Sequence, residues 1–162
     1  MILSLNSKLD ITRPADATAY GAGDVVGPSS STGGGVLKFD QVGGEGSAIL
    51  ITDADLRIDL SSVTSGMTSW RLHLYSRPPG SQYADNTAWD LPAVDREAYL
   101  GYVEMGTIVD VGATLFVQAG QVNKKIYLGY DPMPLYGYLV TTGAYTPASG
   151  TTMSLRLNGI PC

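Results

Sequence analysis

The stretch WRLHLYSRPPGSQYADNTAWDLPAVDREAYLGYVEM, residues 70–105, decides the fold of this chain. It opens with a strand-like alternation, in which every second side chain points to the same face. One face is apolar and is predicted to be core, and it carries Trp70, Leu72 and Leu74. The other face is predicted to be a polar sheet face or a subunit contact, and it carries Arg71, His73 and Tyr75. The pattern indicates a half-buried β-strand.

The chain then breaks at residues 77–80, where prolines and a glycine interrupt the strand. A polar excursion follows, and residues 99–103 return as a second strand. Within the excursion, Asp90 is predicted to cap a short helix over residues 92–98, with Pro92 in its first turn. Such a helix is too short to be stable alone, so its apolar side must be docked against the domain.

Strand-like segments continue on both sides of this stretch. The 162 residues suffice for one domain with its own core, and the 20 Gly and 10 Tyr favour strands and tight turns. We count about nine strands separated by glycine, proline and asparagine turns, a spacing typical of a sandwich or barrel. The sequence therefore predicts an all-β fold with one short helix.

Residues 1–13 are predicted to form a segment separate from the main domain. They carry a weak apolar alternation that ends at Arg13-Pro14, where proline denies a strand its hydrogen-bond donor. We predict an N-terminal arm or edge strand at 1–13 and a single β-sandwich domain at 14–162. The arm is expected to dock on a neighbouring molecule through Ile2, Leu3 and Leu5, while the sandwich folds without it. The Ser- and Gly-rich loop at residues 28–35 is expected to be mobile in the free protein.

Charge and cysteine usage narrow the classes of partner. The formal net charge of −5 and the charged fraction of 15% argue against a nucleic-acid partner, which requires neutralisation of phosphates. The single cysteine, Cys162, cannot form an intrachain disulfide. The chain shows no signal-peptide pattern and no run of roughly 18 apolar residues, so we expect a soluble, cytoplasmically made protein without membrane contacts.

The candidate chemical groups do not form a recognisable active site. His73 is the only histidine, which excludes a zinc site with several imidazoles and leaves a catalytic base without a visible nucleophile. The acidic residues at 53, 55 and 59 suggest calcium ligands, but their spacing does not fit a helix-loop-helix calcium loop, and a turn at residues 53–55 is predicted instead. The glycines at residues 21–27 lack the dinucleotide-binding spacing. We expect no enzymatic activity, no catalytic residues, no metal and no cofactor.

Several stretches together resemble one known family, the small head decoration or cement proteins of tailed bacteriophages and their prophage relatives. The resemblance covers residues 11 to 157 approximately, and the order and spacing of the stretches carry it. The stretches are ITRPADATAYGAGDVVG (11–27), RLHLY (71–75), DNTAWDL (85–91), YLGY (99–102), VDVGATL (109–115) and LYGYLVTTGAYTP (135–147).

The resemblance implies a jelly-roll-like β-sandwich seated on the capsid exterior of the virion, where it stabilises the assembled shell. The implied partners are the major capsid protein and a second copy of the chain, as a homo-oligomer that is a dimer in preference to a trimer. Candidate contacts with the capsid or between subunits are Ile2, Leu3, Leu5, Arg71, His73, Tyr75 and Trp89.

A second interpretation is a glycan-binding β-sandwich from a tail or receptor-binding protein, because Trp and Tyr rings stack on sugar faces. Its site would combine Trp89 with Tyr83, Asn86 and Asp90. A third class, an enzyme holding a metal inside a jelly roll, usually needs several histidines. The three interpretations differ in whether the excursion contacts a capsid, a sugar or a metal.

Overall fold

The structure, a computed structural model, describes residues 5–40, 47–128 and 134–162. These residues form eleven strands and one 3-10 turn at Ala93–Asp95. The strands are β1 (Leu5–Thr12), β2 (Val25–Val26), β3 (Leu37–Phe39), β4 (Ala48–Ile58), β5 (Trp70–Tyr75), β6 (Tyr99–Glu104), β7 (Val109–Asp110), β8 (Leu115–Ala119), β9 (Lys124–Tyr127), β10 (Leu135–Thr141) and β11 (Thr152–Pro161).

The strands form two antiparallel sheets with a nested order. The first sheet runs β1-β11-β4-β8-β7, with β9 also paired to β4, and the second runs β2-β10-β5-β6, with β3 also paired to β10. Strands β1 and β11 pair, as do β3 and β10, β4 and β8, and β5 and β6. This nesting is that of a long hairpin wrapped around a core, which is the jelly roll. The predicted all-β sandwich is confirmed.

The main core lies between the two sheets. The alternation in β5 points Trp70, Leu72 and Leu74 inward with no exposed surface, as the sequence predicts. Gly137, in the middle of β10, allows this packing because a Cβ atom there would lie 2.8 Å from the carbonyl oxygen of His73 and 3.4 Å from the Phe39 ring. Each large apolar side chain buried in this way contributes about 1.5–3 kcal/mol.

The predicted turn at residues 53–55 is wrong, because β4 continues through it. A bulge beside Asp53 absorbs one extra residue where β4 pairs with β11. Asp53 is also held there, since the Asn158 side chain donates to its carboxylate at 2.7 Å. Asp55 points out of the sandwich but is only 4% exposed.

The excursion folds back over the outer face of the second sheet and buries it. A second apolar cluster forms there, in which Leu91 and Trp89 pack against Tyr75, Tyr138 and neighbouring side chains. The predicted helix at 92–98 is shorter than expected, a 3-10 turn that begins after Pro92 without a side-chain cap. Asp90, the predicted cap, accepts a hydrogen bond only from the backbone of its neighbour. No helix in the described ranges is long and apolar enough to span a membrane.

Strand β1 is an edge strand of the first sheet. It pairs with β11 along all eight of its residues, and Ile11 is 1% exposed within the core. The loop predicted to be mobile is tied to the excursion, because the amides of Gly33 and Gly35 donate to the carbonyls of Gln82 and Tyr83 at 2.7 and 2.9 Å. Two predicted contact residues, Ile2 and Leu3, lie outside the described residues.

Candidate functional site

Trp89 lies where the excursion returns to the second sheet, and β5 fixes its orientation. The indole stacks on the His73 ring with centroids 3.7 Å apart and an interplanar angle of 23°. Its Nε1 donates to the hydroxyl of Tyr75 at 3.1 Å. Because His73 and Tyr75 share the outer face of β5, they contact the same indole, so three of the predicted contact residues meet at one place.

A pit of about 320 Å³ opens beside this indole. Its lining includes Gly23, Arg71, His73, Trp89, Val140 and Thr142. Arg71 is exposed, and its Nε donates to the Glu104 carboxylate at 2.7 Å while its guanidinium lies over the Tyr102 ring. The pit therefore combines aromatic and aliphatic walls with one cationic side chain, Arg71.

His73 is the buried histidine of the aromatic cluster around Trp89. Burial, together with the nearby positive charge of Arg71, lowers the pKa of His73 to about 4. The ring is therefore neutral at pH 7, with Nδ1 at 2.9 Å from the Tyr99 hydroxyl. His73 is 4% exposed and Tyr75 has no exposed surface, so neither side chain is available to a partner in this conformation. Sequence alternation correctly placed both on the outer face but could not reveal that the excursion covers it.

A second buried cluster holds the loops at one end of the sandwich. The Arg13 side chain donates to the Tyr20 hydroxyl and to the Asp85 carboxylate, the latter at 3.3 Å. Asp85 also accepts from the Tyr20 hydroxyl at 2.6 Å and from the Gly27 amide at 2.9 Å. Burial and the Asp85 charge raise the pKa of the Tyr20 hydroxyl, which therefore remains protonated and able to donate. This cluster, which we call the Arg13 latch, has no sequence signature.

Asp95 anchors the excursion from within. Its carboxylate accepts hydrogen bonds from the backbone amides of Gly80 and Ser81 at 2.6 and 3.2 Å, and the residue is 2% exposed. Asp95 is buried because the excursion curls around its carboxylate, whereas the nearby acidic residues Asp90 and Glu97 are exposed. The excursion is thus fixed at both the latch and Asp95.

The outer face of the first sheet differs from that of the second. Most of its outward side chains are polar and exposed or half-buried, and charges of both signs alternate along its strands, including Lys8, Asp10, Arg57 and Arg156. At one end of this face, Tyr127 on β9 is 67% exposed and Ile160 on β11 is 45% exposed. The Lys125 ammonium lies 5.3 Å from the Tyr127 ring centroid. This surface is therefore exposed and mixes charged, aromatic and aliphatic side chains.

The remaining predicted site residues are dispersed. Leu5 contributes its backbone to β1, opposite Gly159. Of the proposed glycan site, Tyr83 packs on Tyr138, and Asn86 adopts a left-handed turn with φ of 60°. These residues and Asp90 do not line the pit beside Trp89. Among the described residues, no group of His, Cys, Asp and Glu side chains is arranged to hold a metal ion.

No protein-family model and no curated protein matches the chain. Among solved structures, the chain aligns over 97% of its length with 82% of a chain from the capsid of Ralstonia phage GP4, at 18% identity and a TM-score of 0.42. It aligns over 99% with 95% of a chain from a Macrobrachium rosenbergii nodavirus virus-like particle, at 11% identity and a TM-score of 0.26. A chain of Israel acute paralysis virus gives 99% and 73% coverage, 11% identity and a TM-score of 0.29. All three TM-scores are below 0.5.

Proposed function

We propose that this protein is a virion structural protein, which binds the outer surface of an assembled phage capsid and stabilises the shell without catalysing a reaction. The observation that carries the proposal is the outer face of the first sheet, where the large side chains of Tyr127 and Ile160 are exposed. Tyrosine is enriched among residues that dominate binding energy at protein interfaces. The resemblance of the sequence to phage decoration proteins supports the same function.

Rigidity supports this function because a pre-ordered surface loses little conformational entropy when it binds. Strand β11 is paired with β1 on one side and with β4 on the other, so the outer face of the first sheet is ordered before a partner binds. A partner therefore meets a surface that is already folded.

The stabilisation follows from mass action. A protein that binds the assembled lattice but not its free subunits favours assembly by about 2.7 kcal/mol per site when its free concentration is ~100 times its dissociation constant. Many such sites on one shell oppose disassembly together. The major capsid protein is the partner in this proposal.

Co-sedimentation with capsids emptied of DNA and stripped of this protein tests the proposal. Wild type is expected to sediment with the shells and to raise the temperature at which they disassemble. Tyr127→Ala is expected to weaken binding at least tenfold, because truncating a tyrosine that dominates an interface costs about 2 kcal/mol. Val94→Ala is the matched control, since Val94 is 63% exposed but lies on the excursion. Failure of wild type to bind, or equal losses in both variants, would contradict the proposal.

A second variant tests the contact predicted for the N-terminal residues. A chain that starts with Met followed directly by Leu5 lacks Ile2 and Leu3 but keeps all of β1. It is expected to fold with an unchanged melting temperature and to bind shells more weakly. Unchanged binding would show that Ile2 and Leu3 do not contribute to the contact with the shell.

The proposal includes self-association as a homodimer. Sedimentation equilibrium at high protein concentration, together with the subunit stoichiometry on the shell, measures the oligomeric state. A monomer in both measurements would contradict this part of the proposal and leave capsid binding intact.

A further inference from the structure

The indole of Trp89 is a preorganised surface at the edge of a pit. Two contacts fix it, the stack on His73 at 3.7 Å and the hydrogen bond from Nε1 to Tyr75. His73 covers one face of the ring, so the half-buried indole surface that lines the pit is a different part of it. Fixed aromatic surfaces of this kind bind apolar faces of ligands at a low entropic cost.

Arg71, the charged group in the pit lining, is paired with Glu104 but still has bonding capacity. Its Nε donates to Glu104, and its two terminal nitrogens donate to no other described side chain. A guanidinium carries five N–H donors, so Arg71 offers further donors to adjacent hydroxyl groups. Glu104 lies outside the pit lining, but its carboxylate offsets the Arg71 charge and weakens the attraction for an anionic ligand.

The volume of the pit and the protonation state of His73 are consistent with one class of ligand. The pit of about 320 Å³ lies at the lower end of the volumes of small-ligand sites, which accommodates one or two sugar rings. The neutral His73 ring adds no charge at pH 7. A sugar ring has an apolar face for the indole and hydroxyls for the rim. We propose that the pit beside Trp89 binds a neutral pyranose ring of an oligosaccharide.

This binding site lies on the second sheet and the excursion, whereas the surface proposed to contact the capsid lies on the first sheet. The site also differs from the glycan site predicted from sequence, because Arg71, Gly23 and Thr142 replace Tyr83, Asn86 and Asp90 around the indole. A protein held on a shell by one sheet would present the pit away from it. The two functions are therefore separable by mutation.

A glycan array of neutral and sialylated oligosaccharides, probed with the full-length protein, tests the proposal first. A neutral glycan identified on the array is then titrated while tryptophan fluorescence is recorded. Trp70 has no exposed surface, so a change on binding reports Trp89. Trp89→Ala is expected to weaken binding at least tenfold and Arg71→Met several-fold. Tyr127→Ala, on the opposite sheet, is expected to bind like wild type.

Arg71→Met decides the result if Trp89→Ala fails to fold, because Arg71 is exposed and its replacement leaves the core unchanged. The proposal is overturned if no glycan binds, if only sialylated glycans bind, or if Arg71→Met binds like wild type. Equal weakening by Tyr127→Ala would also overturn it. Loss of shell binding in Trp89→Ala without any glycan binding would instead identify the pit as a protein contact. Each variant is assayed for shell binding in parallel, so failure of the capsid proposal is distinguished from failure of this one.

Discussion

Arg13 is a buried cation whose side chain joins three separate parts of the chain. Besides Tyr20 and Asp85, it donates to the backbone carbonyls of Asp16 and Ala148 at 3.4 and 3.3 Å. Its side chain has no exposed surface, and that of Asp85 is 2% exposed. Removing one partner of such a pair leaves the other charge buried and uncompensated. The Arg13 latch therefore holds the loops at one end of the sandwich together. Breaking it is expected to lower the stability of the fold strongly.

We predict that Arg13→Ala lowers the free energy of unfolding by about 3–5 kcal/mol, as expected for breaking a buried ion pair. Urea denaturation measures this quantity. Lys8→Ala is the control, because the Lys8 ion pair with Asp10 is 52% and 66% exposed and is worth at most about 1 kcal/mol. A loss below about 1 kcal/mol for Arg13→Ala would contradict the importance of the latch.

The pKa of His73 makes stability depend on pH. The unfolded chain binds a proton at the ordinary histidine pKa of 6.5, whereas the folded protein binds it only at about 4. Between these values the unfolded state holds more protons, so stability is complete above pH 6.5 and falls as the pH drops toward 4. We predict a melting temperature that decreases from pH 7 to pH 5. In His73→Gln the melting temperature should depend less on pH. An equally steep decrease in that variant would show that other titratable groups cause it.

At the scale of elements, the inner faces were predictable and the outer faces were not. Alternation identifies Leu72 and Leu74 as core because burial on one side of a strand has a two-residue period. The outer face of β5 is covered only because a distant segment returns over it, and no local pattern encodes that return. The contact between Asp85 and Arg13 is likewise not encoded in a local pattern, because the two residues are 72 positions apart. The Asp53-Ala54-Asp55 segment has turn-forming residues, but pairing on both sides of β4 overrides that preference.

The excursion is predicted to depend on Asp95. Asp95→Ala leaves the amides of Gly80 and Ser81 without their acceptor inside a covered loop, at a cost of about 1–3 kcal/mol. Hydrogen exchange is expected to accelerate across residues 76–98 more than in the first sheet. Asp90→Ala is the control, because Asp90 is exposed and its carboxylate accepts a hydrogen bond from the adjacent amide of Leu91. Uniform acceleration across both sheets would show that Asp95 stabilises the whole fold instead.

At the scale of the whole molecule, β1 belongs to the fold. Deleting residues 1–12 removes eight paired residues from the first sheet together with the buried Ile11, and it leaves the latch residue Arg13 at the new terminus. We predict that this deletion abolishes cooperative unfolding, measured by circular dichroism on heating. A cooperative transition near the wild-type temperature would show that the sandwich folds without β1, as the sequence pattern alone suggested.

The nested strand order also determines when the protein can fold during synthesis. Strand β11, which joins β1 to β4 in the first sheet, and strand β10, which joins β2 and β3 to β5 in the second, are both formed by residues 135–161. Each joins partners made much earlier, such as β1 and β3, so neither sheet is complete until residues 135–161 have been synthesised. Until then β1, β2 and β3 lack the strands with which they pair, and exposed apolar strands favour aggregation. The fold is therefore expected to complete only after residues 135–161 leave the ribosome, and its yield in cells should depend on holding chaperones.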